Sequence, residues 1–207
     1  MRRRLPLLLL SLLLVLAACG GEASQDPPAA ASQSAASQSA SSQSAPSQSG
    51  PLPGKVRDVG PTPVPDLTLT TLDGASIDLQ AQEGRLLLVN FWATWCAPCR
   101  EEIPDLKALH ADLHEEGLRV IGIALDREGR EVVAPFVDKL DIPYPIVIDS
   151  DGAAESAFGP LPGLPTTLLV TPDGQVTKRV LGIFPAEEMR STLEQMLNSD
   201  GASSGTT

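Results

Sequence analysis

The chain is poor in the side chains from which metal sites and large aromatic cores are built. Its 207 residues include 3 Cys, 2 His, 2 Trp, 1 Tyr and 4 Phe. With aromatics at 3%, Val, Leu, Ile and Ala must fill whatever core forms. A tetrahedral zinc site takes four protein ligands, usually two Cys pairs or a pair plus histidines. His110 and His114 lie 11 and 15 residues beyond Cys99 on what reads as one helix, and a rigid helix would hold them away from it. They are four apart and share a helix face, but nothing else supports a metal there. Clustered basic residues are also missing beyond Arg2, Arg3 and Arg4. The formal charge is −11, and losing those three arginines would leave −14. Binding a phosphate backbone needs clustered Lys and Arg, so no nucleic acid partner is expected. No apolar run reaches the ~18–20 residues that span a bilayer; Leu5 to Leu16 is shorter and contains Pro6 and Ser11.

What is present begins with an address. Met1-Arg2-Arg3-Arg4 is a basic n-region, the apolar run follows, and Leu16-Ala17-Ala18 places small residues where a signal-peptide cleavage site is expected. A cysteine directly after them, Cys19, resembles the lipobox of bacterial lipoproteins. That resemblance implies removal of residues 1–18, a lipid on Cys19, and an extracytoplasmic domain anchored to a bacterial membrane, periplasmic or on the outer face. The plain alternative is a cleaved signal with a chance cysteine. Residues 19–54 combine this anchor with a Ser/Gln/Ala-rich stretch too polar to build a core, a flexible tether. Pro51, Pro53, Pro61, Pro63 and Pro65 stiffen the approach to one domain at 55–199, and 200–207 reads as a disordered tail.

Cys96 and Cys99 form a single C-x-x-C. As a structural staple it would close too small a loop to stabilise much. Redox chemistry suits the surroundings better. Arg85 to Phe91 reads as a buried strand, and from Cys99 a helix continues through Leu106, Leu109 and Leu113. Cys96 thus falls at a helix N-terminus, where unpaired N–H groups and the positive end of the dipole stabilise a thiolate. Cysteines in such motifs titrate at ~3.5–7.5 rather than ~8.5. Three residues on, Cys99 lies about one turn behind, placed to resolve a mixed disulfide that Cys96 has formed.

The string Asn90-Phe91-Trp92-Ala93-Thr94-Trp95-Cys96-Ala97-Pro98-Cys99-Arg100-Glu101-Glu102-Ile103-Pro104 resembles the TlpA/ResA group of thioredoxin-like thiol-disulfide oxidoreductases. Pro65-Asp66-Leu67 with Leu72-Asp73-Gly74 is similar to that group's N-terminal strand pair. Gly163-Leu164-Pro165-Thr166-Thr167-Leu168-Leu169-Val170 resembles the segment carrying its cis-proline. The likeness covers roughly 64–197. It implies catalytic Cys96 and Cys99, a substrate groove supported by Trp95, Pro98, Leu164, Pro165, Thr166 and Glu102, and a cis Leu164–Pro165 bond facing the cysteines. It also implies no cofactor beyond the redox-active disulfide. The implied partners are protein dithiols and disulfides, apocytochrome c among them, and a membrane thiol-reductant donor. Two departures stand out. Thioredoxin carries a buried acid where this chain has Asn90, which leaves the proton acceptor for Cys99 open. Some family members place an acid between the cysteines, where Ala97 and Pro98 stand here. Glu102 reads as a first-turn helix acid favoured by the dipole, Phe91 as core, and Trp95 as a cover for the cysteines.

The remaining pattern predicts strands at Leu118 to Leu125, Tyr144 to Ile148 and Thr167 to Val170. The last pairs with Val176 to Leu181 across Asp173-Gly174. Helices are expected at Glu131 to Leu140 and Ala186 to Leu197. The fold class is α/β, thioredoxin-like: a central mixed sheet with helices on both faces, an extra N-terminal strand pair and a central inserted unit around Glu131 to Phe158. A peroxiredoxin-like peroxidase working through Cys96 and a non-enzymatic copper-delivery protein are the alternatives. The first ordinarily lacks Trp-Cys-x-Pro-Cys, and the second generally adds a late histidine that this chain does not have.

Overall fold

The computed structural model describes residues 53–82 and 84–201. The expected signal segment, Cys19 and most of the tether lie outside the described residues. Among the described residues no helix is long and apolar enough to cross a membrane.

Two apolar runs set the centre. β4 (Leu86–Trp92) and β5 (Leu118–Ala124) lie parallel, with Leu86 opposite Leu118 and Trp92 opposite Ala124. β4 is buried along its whole length, which is why it reads as a continuous apolar run and not as an alternation. β7 (Thr166–Val170) and β8 (Gln175–Leu181) extend the sheet antiparallel on one side, and β6 (Ile146–Ile148) extends it parallel on the other. β1 (Lys55–Pro63) closes the β8 edge, giving the order β1-β8-β7-β4-β5-β6. A separate hairpin joins β2 (Thr68–Thr70) to β3 (Ser76–Asp78).

Alternation along the central strands divides the core. Leu86, Leu88 and Trp92 face α1 (Ala97–Leu113), α2 (Arg130–Leu140) and α4 (Ala186–Gly201), through Ile103, Leu106, Val133 and Leu193. Leu87, Val89 and Phe91 face the hairpin and the short α3 (Ala153–Phe158), through Leu69, Ile77 and Ala154. Helices therefore lie on both faces of a mixed sheet, as the sequence pattern implies. α2, β6 and α3 together form the inserted unit.

Several boundaries differ from expectation. The proline-rich approach is not merely a stiffener: Lys55–Pro63 is a paired strand, and its edge position tolerates prolines that donate no N–H. Pairing begins still earlier, with the Gly54 N–H donating to Ile183 O at 2.7 Å. The N-terminal strand pair lies three or four residues later than read, and Leu72-Asp73-Gly74 forms its turn, with Gly74 at φ 87°. β6 starts only at Ile146 because Pro143 and Pro145 flank Tyr144. α4 continues through Gly201, so residues 200 and 201 are helical where the tail was expected to begin.

Candidate active site

The chain leaves β4 at Trp92 and reaches α1 through four residues, Ala93 to Cys96. This short turn is held from across the sheet. Asp126, fully buried just beyond β5, accepts from the Thr94 N–H at 3.0 Å and from the Thr94 hydroxyl at 2.5 Å. Cys96 then caps α1, with φ −80° and ψ 109°, and its Sγ accepts the Cys99 N–H at 3.3 Å. Pro98 sits in the first turn, where a missing N–H costs nothing. The two sulfurs are bonded at 2.03 Å, with Cα atoms 5.3 Å apart. Exposure is graded: Cys96 keeps 5% of its surface and Cys99 none.

Sheet register brings the distant motif alongside. Phe91 pairs with Thr166, so Pro165 stands beside the end of β4, where the chain enters the cysteine turn. The Leu164–Pro165 peptide is cis. Pro165 is buried and its carbonyl accepts from Gly182 N–H at 2.9 Å, while the Thr166 hydroxyl donates to Gly163 O at 2.7 Å. Leu164, half-buried, packs against both core clusters. Phe91 is fully buried as expected. Trp95, expected to cover the cysteines, is 67% exposed.

Glu102 also departs from expectation. It lies in the second turn of α1 and has no exposed surface. Its Oε1 accepts from Asn90 Nδ2 and its Oε2 from the Phe184 N–H, both at 2.8 Å. Burial nevertheless outweighs both bonds, with Asp105 adding like charge, and its pKa is pushed up to about 7. Asn90, which also donates to Thr167 Oγ1 at 3.0 Å, replaces an acid on β4 with an amide that holds an acid on α1. Tyr144, buried nearby, has its hydroxyl pKa raised by burial and then by Glu102. The sequence reading overlooked Asp126, Phe184 and Tyr144. The apolar stripe Cys99, Ile103, Leu106 passes through Glu102, and that spacing was the available signal.

His110 and His114 stack at 5.0 Å, and among the described residues no group of three or more His, Cys, Asp or Glu could hold a metal.

A vicinal cysteine pair at a helix N-terminus, beside a cis-proline loop on a mixed sheet, defines a thioredoxin-fold thiol-disulfide oxidoreductase. Residues 61–179 match the family model described as AhpC/TSA. The chain belongs to that family, within its TlpA/ResA-type thiol-disulfide oxidoreductases. It is 34% identical over 133 residues to the thiol-disulfide oxidoreductase ResA of Bacillus thuringiensis subsp. konkukian, covering 64% of this chain and 75% of that one. Its fold matches a thioredoxin family thiol:disulfide interchange protein from Chlorobium tepidum with TM-score 0.59 and 28% identity, over 68% and 99% of the two chains. A secreted Mycobacterium tuberculosis disulfide oxidoreductase homologous to E. coli DsbE matches with TM-score 0.52 and 25% identity, over 65% and 96%.

Proposed function

We propose that the chain reduces disulfides in partner proteins outside the cytoplasm, from a lipid anchor on Cys19. The observation that carries this reading is the graded pair: one sulfur at the mouth of the site, the other sealed beneath it at the opening turn of α1. In the reduced enzyme the Cys96 thiolate attacks one sulfur of the partner's disulfide, forming a mixed disulfide and expelling a partner thiolate. Cys99 loses its proton and attacks Cys96 Sγ. The Cys96–Cys99 bond forms, the second partner thiolate leaves, and both partner sulfurs take up protons. Two electrons pass to the partner with no cofactor beyond the cysteine pair. A dithiol donor at the membrane then returns two electrons to the enzyme.

Glu102 supplies the base that Asn90 cannot. It is the buried acid of α1, one turn on from Cys99, and a pKa of about 7 suits proton transfer near neutrality. Trp95, Pro98 and Leu164 keep exposed surface and take the partner's extended segment, while the buried Pro165 and Thr166 shape the loop beneath it. Resemblance to the TlpA/ResA group favours apocytochrome c as one such partner, and the signal-like segment ending at Cys19 supports the extracytoplasmic setting.

The full chain with Cys99→Ser should trap mixed disulfides through Cys96, and the wild type should reduce insulin. Failure of both refutes the reading. Peroxide consumption with a recycling reductant, or stoichiometric copper binding by the reduced chain, would favour the other two chemistries. A reduction potential well above that of glutathione would reverse the proposed direction, and Cys19→Ser should release the chain from membranes.

A further inference from the structure

A second surface lies beside the strand that follows the cis-proline. Between β1, β8 and the loop 159–162 lies a groove of about 510 Å³, walled by Val59, Leu161 and Leu181 and rimmed by Lys55, Arg57 and Arg179. The chain as a whole carries −11, so three cations around one groove run against its general character.

Strand geometry makes the cluster costly. Arg57 and Arg179 are directly opposed partners in the antiparallel β1–β8 ladder. Side chains so placed stand ~4.5–5.5 Å apart at Cβ, and like charges there repel. Lys55, two residues before Arg57, projects from the same face. Among the described residues the ion pairs are His114–Glu115, Lys178–Asp58 and Arg190–Asp112, and none engages these three cations. Lys178, on the opposite face of β8, has Asp58 directly across from it; Arg179, one residue on, faces an arginine. Among the described residues Arg179 reaches only the Pro160 carbonyl, at 3.5 Å, and its buried Nε finds no partner there.

The groove borders the cis-proline strand on the face of the sheet that carries α3. Leu181 pairs with Thr166 on one side and Lys55 on the other, and Gly182 N–H donates to the Pro165 carbonyl. A segment that passes from Cys96 over the cis-proline loop to this face would meet Leu181 first and then the cations. We propose that this groove seats an extended acidic segment of the disulfide-bearing partner protein, with carboxylates on Lys55, Arg57 and Arg179 and apolar side chains against Val59, Leu161 and Leu181. The proposal rests on the reading of the chain as a protein disulfide reductase. A polypeptide is favoured over a lipid headgroup because the groove mixes apolar walls with charge and borders the strand that follows the cis-proline. The carboxylates sit on the same extended segment as the target cysteine, at ~3.3 Å per residue.

The test uses the reduced full chain and three disulfide-bridged peptides that differ only at those positions: Glu-rich, Gln-rich or Lys-rich. At low ionic strength the Glu peptide should show a KM about tenfold below the Gln peptide, with the advantage shrinking as salt rises. Combined Lys55→Gln, Arg57→Gln and Arg179→Gln should erase the difference between these two peptides. Arg57→Glu alone should shift preference toward the Lys peptide. Equal KM values in the wild type overturn the proposal, as does a preference that survives the triple variant. So does a triple variant that loses binding to phosphatidylglycerol vesicles while keeping its peptide preference. If the wild type reduces none of the peptides, the reductase reading itself fails; if it reduces all alike, that reading stands and only the groove assignment falls.

Discussion

Glu102 receives two hydrogen bonds at 2.8 Å, and each lowers its pKa, yet burial wins and leaves it at about 7. A carboxylate so poised is half-ionised at neutral pH and can accept a proton from a thiol one helical turn away. Glu102→Gln keeps the shape and removes the titration. Decay of a preformed Cys96 mixed disulfide should accelerate in the wild type as pH rises through about 7. The variant should lack that inflection and run about 10²-fold slower at pH 8. An unchanged pH profile would reduce Glu102 to a structural role. The cysteine pair itself was legible in the sequence, because spacing of three beside a strand-to-helix change is a local property. The state of Glu102 was not, since it depends on Asn90 and Phe184, 12 and 82 residues away. The turn that carries Trp95 was equally hidden, because Asp126 holds it at Thr94 from 32 residues on.

At the scale of elements, the long apolar runs of β4 and β5 and the stripe of α1 announced themselves, as did the β7–β8 hairpin with its Asp173-Gly174 turn. β1 did not, because an edge strand exposed along nearly its whole length has no alternation to read, and its partner β8 is more than a hundred residues away. Its attachment is specific all the same. A Cβ on Gly54 would lie 2.6 Å from Ile183 O and 2.8 Å from Gly182 C, both backbone atoms that cannot turn aside. Gly54→Ala should therefore loosen the start of β1. Hydrogen exchange at the β1 and β8 amides should quicken while exchange in β4 stays slow; uniform exchange would refute a local effect. The turn into α1 depends on Asp126 in a comparable way. Asp126→Ala strips the Thr94 N–H and hydroxyl of their acceptor and should cost about 1–3 kcal/mol in denaturant unfolding, with Asp126→Asn costing less because one acceptor remains.

For the molecule as a whole, Glu102 also ties stability to pH. Its folded pKa of about 7 lies above the ordinary glutamate value of 4.5. Between these values the native state holds a proton that the unfolded chain has released, so stability must fall as pH rises from about 4.5 through about 7. A shift of that size corresponds to about 3 kcal/mol at full effect. His110 works in the opposite sense. Burial lowers its pKa from 6.5, with His114 and Arg119 adding like charge, so its contribution is present above that value and lost as pH falls. The raw stability curve of the oxidised chain mixes the two. The decisive quantity is the difference between wild type and Glu102→Gln, from which the histidine contribution cancels. That difference should move in favour of the variant by up to about 3 kcal/mol between pH 5 and pH 8, measured by urea unfolding of the oxidised chains. A constant difference across that range would mean that Glu102 titrates alike in the folded and unfolded chain, which would remove both its cost to stability and its fitness as the base for Cys99.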